Sequence, residues 1–550
     1  MPRFSVLMIA SSLTGLLPEI VASPAAASPW VADQGDGTYR NPVLHADYSD
    51  PDAIRVGDDY WMTASSFGHV PGLPILHSRD LVNWTLVNHA LPALVPVDHF
   101  ARPRHGEGVW APALRHHAGR FWIFYPDPDF GLYVITTDDP RGTWSEPRLL
   151  LAGRGLIDPC PLWDNDGRAW LIHGWAKSRS GINNRLTMHE MSPDGTGVLD
   201  EGRVVIDGDQ LPCWRTLEGP KLYKRDGWYY VFAPAGGVAE GYQAVFRSRA
   251  ILGPYENRIV LAQGGTRVNG PHQGAWVTTP GGQDWFFHFQ EMPAHGRVVH
   301  LQPMRWRADG WPVMGDDADG DGTGEPVLAH AKPDLPRQPA REPATSDDFV
   351  GGHAGRQWQW QGNPDVDWIL PRAEVATEAG LRLRAVPATA ADSLWLAPNL
   401  LMQKFPAPSF MAETTLAFDD LVAGGRAGLI VFGYDYGWIG IRRGADGRAE
   451  LVQALCAEAH KGGVDRVAAT IPWPEGRAVR LRVTVAADLT CRFFYREAGG
   501  EADFEALGEA FTASSSRWVG AKFGLFCTGP AGATDEDAGA ADFAAFTVGH

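Results

Sequence analysis

Four carboxylic acids and one imidazole stand at matching places in five similar stretches of this 550-residue chain. They are Asp50 in Asp50-Pro51-Asp52, Glu107 in Glu107-Gly108-Val109-Trp110, Asp158 in Asp158-Pro159-Cys160, Glu218 in Glu218-Gly219-Pro220 and His272 in Pro271-His272-Gln273-Gly274. Each precedes an aromatic landmark (Tyr60, Trp122, Trp170, Tyr229 and Trp285), by 10, 15, 12, 11 and 13 residues. Acids confined together raise one another's pKa, which is costly as mere structure and typical of sites that do chemistry. The chemistry such a set suits is cleavage of a glycosidic bond. One protonated carboxyl assists the departing oxygen, and one ionised carboxylate on the opposite side activates water or attacks directly. Taken singly, each acid also has a plainer reading, since Asp-Pro is a turn former whose carboxylate caps nearby amides. The shared phase of the five favours the joint reading.

The elements that must position these groups repeat as well. Aromatic-rich strands are predicted at residues 57–65, 119–125, 166–174, 225–234 and 282–290, and their landmarks are 62, 48, 59 and 56 residues apart. That period is a propeller blade of about four strands, and five blades make a ring over residues 36–315. The inner strands of a ring surround one axis, so equivalent positions meet in space. Residues 316–345 then read as a connector, acidic and Gly-rich at first and proline-rich afterwards. Asp317, Asp319, Asp321 and Gly322 match the first half of a calcium loop, but Leu328 stands where the bidentate Glu belongs, so a solvated turn is expected. Strand-like alternation over residues 381–386 and 479–485 predicts a β-sandwich for 346–550. Its role is either to buttress the propeller or to bind carbohydrate. The chain is thus expected to be all-β.

The net charge of −17 and the lack of basic runs exclude nucleic acid and anionic membrane as partners. Residues 1–28 have the pattern of an export signal, with Arg3, an apolar run over 4–17 and small residues at 21–23 and 25–27. The apolar run is too short for a membrane span, and the expected location is periplasmic or secreted. The five cysteines have no metal-type spacing. Cys160 and Cys213 lie beside proposed site residues, either as a disulfide or as two buried thiols.

Beyond these patterns the chain resembles glycoside hydrolase family 43, the β-xylosidases and α-L-arabinofuranosidases. The resemblance is carried by residues 41–44 (NPVL) leading to Asp50-Pro51-Asp52, and by 71–84 (PGLPILHSRDLVNW). It continues in 108–112 (GVWAP), 157–171 (IDPCPLWDNDGRAWL) and 218–223 (EGPKLY), and in 358–363 (WQWQGN) and 397–408 (APNLLMQKFPAP) of the tail. It implies Asp50 as general base, Asp158 as the acid that modulates pKa and orientation, and Glu218 as general acid, with inversion of configuration. It also implies a jelly-roll, concanavalin-like kind of sandwich, sugar contacts from Arg297, Phe67, Trp110 and His272, and a structural calcium ion in the channel faced by His272 through water or directly, with no cofactor required for the chemistry. Departures are Ala53, Cys160 and the stretch Gly68-His69-Val70, which lacks an aromatic. Asp47 and Asp52 lie so near Asp50 that the choice of base rests on the motif, and Glu107 is left as a structural or subsite residue. The expected activity is exo-acting release of terminal β-D-xylose from xylooligosaccharides. The alternative is α-L-arabinofuranosidase action on arabinoxylan, or both activities. A non-catalytic polysaccharide-binding propeller is the reading from a different class.

Overall fold

Between Asp52 and Met314 five antiparallel sheets follow one another, each of four consecutive strands in sequence order. The structure, a computed structural model, describes residues 29–550 apart from 213, 366, 372–379, 389–392 and 535–536. The expected export signal and Cys213 lie outside the described residues. The first strands of the blades are Asp52–Val56, Ala113–His117, Leu156–Trp163, Lys221–Arg225 and His272–Thr278. Every aromatic landmark falls on a second strand: Asp59–Thr63, Arg120–Asp127, Ala169–Trp175, Trp228–Ala235 and Asp284–Met292. These residues recur because adjacent blades need large apolar side chains between them. Tyr60 and Trp285 share one core between the first and fifth blades, and Trp170 joins Leu222 and Val231 between the third and fourth. Fully burying one such side chain is worth about 1.5–3 kcal/mol, so the seams hold the ring together.

The ring closes through the segment that precedes the first blade rather than through a shared sheet. Thr38–Arg40 pairs with Ala329–Ala331, and Leu44 bridges Val299 of the fifth blade. The Asn41 side chain donates to the carbonyls of Leu301 and Val327 and accepts from the Leu301 amide.

The C-terminal part is a sandwich of a nine-stranded and a seven-stranded sheet. Val479–Val485 alternates between buried and half-buried residues, as its sequence predicts, and the inner faces share one core around Leu429, Leu481 and Phe523. The stretch around Trp360 straps the sandwich to the propeller. Trp360 and Val70 exchange backbone hydrogen bonds, and the Asn363 amide donates to the carbonyls of Leu94 and Val97. Among the described residues no helix is long and apolar enough to cross a membrane.

Candidate active site

Just before or within the opening of three inner strands, the backbone carries Asp50, Asp158 and Glu218 to one end of the channel. All three line a cavity of about 270 Å³ together with Phe67, Trp110 and Arg297. Six lining residues, Asp50, Phe67, Asp158, Thr216, Gln273 and Trp518, have left-handed backbone conformations with φ between 41° and 64°. Such conformations cost non-glycine residues about 1–3 kcal/mol each and gather at functional sites. Here they turn side chains off the strand path and into the cavity.

The acids differ in surroundings. Asp50 Oδ2 accepts from Ser49 Oγ at 2.7 Å and Ser65 Oγ at 2.5 Å, and Arg297 Nη1 stands 3.2 Å from Oδ1. Asp50 is thus a carboxylate held by three donors. Asp158 is 5 % exposed, and Oδ2 accepts from the Gly219 amide at 2.8 Å. Burial, and then the neighbouring carboxylates of Glu218 and Asp50, hold its pKa well above the usual carboxylate range. Glu218 is the most accessible of the three, its side chain 22 % exposed, and Oε1 lies 3.2 Å from His272 Nε2. One end of the cavity therefore holds a buried carboxyl whose pKa is raised, a carboxyl reachable from solvent, and a carboxyl clamped by a guanidinium.

His272 is expected at the sugar, but the structure buries it completely behind Glu218, outside the cavity lining. It opens its strand at a bulge, which aims the ring at the acid. Its Nδ1 is buried without a hydrogen-bond partner, a spare ligand atom. Among the described residues, however, no group of three or more ligating side chains includes it, and a calcium ion takes six to eight oxygens. An ion facing His272 would therefore take most of its oxygens from water. Among the described residues the one such group is Asp317, Asp319 and Asp321, and there Arg305 already engages Asp317 at 2.8 Å.

The remaining acids separate cleanly. Glu107, whose offset of 15 was the longest, lies in a loop and pairs with His99 at 2.7 Å. Asp52 faces away from the cavity; it is fully buried, accepts from the Leu114 amide and pairs with Arg115 at 2.8 Å. The sulfur of Cys160 lies 2.8 Å from Arg115 Nη2, and the residue is a free buried thiol. Asp47 sits at the joint between the domains, where its carboxylate accepts from two backbone amides.

Sequence reasoning missed Trp518. It comes from the sandwich, yet it lines the cavity, with its ring 6.0 Å from Trp110 and 6.0 Å from the Arg297 guanidinium. No blade period reaches that far, and only the run Ser514-Ser515-Ser516-Arg517-Trp518, a large aromatic in a polar turn, hints at it.

A five-bladed ring that gathers carboxyls and aromatic walls around a sugar-sized cavity, capped by a sandwich, defines a carbohydrate-cleaving hydrolase. The chain belongs to glycosyl hydrolases family 43, whose profile matches residues 39–312, and residues 346–549 match the β-xylosidase C-terminal concanavalin A-like domain. A relative from Xylanibacter ruminicola with a provisional β-xylosidase name is 39 % identical over 504 residues, covering 90 % of this chain and 87 % of that one. A β-xylosidase from Formosa agariphila is 32 % identical, covering 94 % and 91 %. A crystal structure of a xylan β-1,4-xylosidase from Bacillus halodurans superposes with a TM-score of 0.80 at 25 % identity, covering 93 % of this chain and all of that one. The protein is a glycosidase.

Proposed function

We propose that this glycosidase releases terminal β-D-xylose from xylooligosaccharides by inversion. One observation carries the reading. The three acids share a single small cavity whose far wall, Trp518, belongs to the other domain, so it accepts the end of a chain rather than its middle. Its volume of about 270 Å³ lies just under the ~300 Å³ at which sites for drug-sized ligands begin. The two relatives with β-xylosidase names support xylose as the sugar.

In this reading Glu218, the accessible acid, protonates the departing oxygen. Asp50 takes a proton from the attacking water while Ser49, Ser65 and Arg297 hold its carboxylate in place. Asp158 stays neutral beside Glu218 and is fixed by the Gly219 amide, so it orients without competing for substrate. His272 holds Glu218 from behind. Phe67, Trp110 and Trp518 supply faces for the sugar ring and exclude water. Export through residues 1–28 belongs to the same proposal and would place the enzyme where hemicellulose fragments are found.

The test is hydrolysis of 4-nitrophenyl β-D-xylopyranoside and 4-nitrophenyl α-L-arabinofuranoside side by side. Preference for the xyloside is expected. Preference for the arabinofuranoside would reassign the sugar while keeping the acids, and turnover of neither would favour a binding propeller.

A further inference from the structure

Asp47 has no place in the chemistry above, yet its carboxylate is 4 % exposed and bonded on both oxygens. Oδ1 accepts from the backbone amide of Arg297 at 2.9 Å, and Oδ2 accepts from the backbone amide of Gly520 at 2.9 Å. The first amide belongs to the residue that clamps Asp50; the second lies two residues after Trp518, the wall of the cavity. One propeller side chain thus ties together two neighbours of the sugar site from different domains.

The joint around it is tight. Ala521 donates its amide to the Ala294 carbonyl at 2.6 Å. A Cβ on Gly520 would stand 2.6 Å from the Gly296 nitrogen, and one on Gly296 would stand 2.7 Å from the Gly520 nitrogen and 2.5 Å from the Asp47 carboxyl carbon. Only glycine fits either position. Trp518 itself is held with φ 64°, in a turn closed by a hydrogen bond from the Ser516 amide to the Val519 carbonyl.

Charge points to the same residue. Lys404 and Lys522 are direct cross-strand partners at the face the sandwich turns to the propeller. Burial depresses the pKa of both, and Asp47 is the carboxylate whose field opposes that depression for each. Lys404 also approaches the face of Tyr48, next to Asp47, at 5.3 Å. The sandwich brings one buried and one half-buried amine, and the propeller answers with one acid.

We propose that Asp47 is a positioning residue that couples docking of the sandwich to the shape of the sugar site, by holding the Arg297 strand and the Trp518 turn in one hydrogen-bonded joint. This rests on the reading of the cavity as a glycosidase site. In Asp47→Asn the amide group would point a donor at one of two N–H donors, so one bond becomes a repulsion. The Trp518 turn then leaves the cavity and the sugar loses its far wall.

The experiment is a double-mutant cycle of Asp47→Asn and Trp518→Ala, read on 4-nitrophenyl β-D-xylopyranoside, with tryptic cleavage after the exposed Arg517 as a second readout. Each single variant is expected to raise KM about tenfold with kcat changed less than about threefold. The double variant should be within about twofold of Trp518→Ala alone, because the second change acts through the first. Cleavage after Arg517 should be at least about tenfold faster in Asp47→Asn than in the wild type, well below the melting temperature. Multiplying KM effects, or an unchanged cleavage rate, would overturn the proposal. If Asp47→Asn does not fold, Gly520→Ala strains the same joint without altering charge and must speed cleavage in the same way. If the wild type turns over no substrate, the glycosidase reading fails, and the cleavage rates alone decide whether Asp47 holds the turn.

Discussion

Glu218→Gln separates the roles of the acids more sharply than any other change. Glutamine keeps the size of the side chain and its contact with His272, 3.2 Å away, so the cavity keeps its shape and KM is expected to hold. Only the transferable proton is lost. General acid catalysis contributes about 10²–10⁴ in rate, which is roughly 3–5 kcal/mol of barrier. The whole of that loss should appear on xylobiose, whose departing sugar oxygen needs a proton. On 2,4-dinitrophenyl β-D-xylopyranoside, whose leaving group departs as a stable anion, kcat should fall less than about tenfold. Asp50→Asn removes the base and should depress both substrates alike, by about 10²-fold or more. Steady-state kcat on the two substrates is the assay, with proton NMR of the first-formed xylose anomer to establish inversion. Equal losses in Glu218→Gln, or leaving-group selectivity in Asp50→Asn instead, would refute the assignment.

Other outcomes test the surroundings. Asp52→Asn strips Arg115 of its buried partner, which typically costs 3–5 kcal/mol, so melting should drop while KM stays put; a loss of turnover in folded protein would make Asp52 the base. Burial, then Asp129 and Glu107, push the Asp127 carboxyl up to about 8. An acid with a raised folded pKa costs stability as pH climbs from its unfolded value near 4 to 8. Asp127→Asn should therefore gain melting temperature over wild type increasingly between pH 5 and 8 and level off above it, and a gain independent of pH would contradict this. Exhaustive chelation should leave xyloside turnover unchanged, since among the described residues no group of three ligating side chains surrounds His272; recovery of lost activity on adding Ca²⁺ would show that the spare Nδ1 serves a hydrated ion.

Most of the ring is legible because the blade repeat is a packing requirement. Large aromatics must fill each seam between blades, so Tyr60, Trp170 and Trp285 recur at a period that can be counted. The same phase delivers Asp50, Asp158 and Glu218 to one cavity, and the outlying offset of Glu107 marks the acid that does not arrive. Contacts that depend on domain docking are illegible for the opposite reason. Trp518 and Asp47 lie 471 residues apart and act through backbone amides and a turn, which leave no period in side-chain type. His272 is an intermediate case. Its position follows from the blade phase, but the bulge that points it behind Glu218 depends on backbone geometry that the residue types do not specify.

Five acids lie in and around this site, and what distinguishes them is the partner each meets rather than its residue type. Asp52 meets a guanidinium and becomes structural. Asp47 meets two amides and becomes a joint. Asp158 meets one amide and two carboxylates, so it keeps its proton. Asp50 meets two hydroxyls and a guanidinium, which fix its carboxylate in place. Glu218 retains the most solvent of the three cavity acids on one side and meets an imidazole on the other. On the proposed reading, the four acids in fixed bonded roles leave Glu218 to move the proton toward the leaving group. That division makes Glu218, rather than the whole cluster, the point at which a single conservative substitution should stop hydrolysis of natural substrates while sugar binding persists.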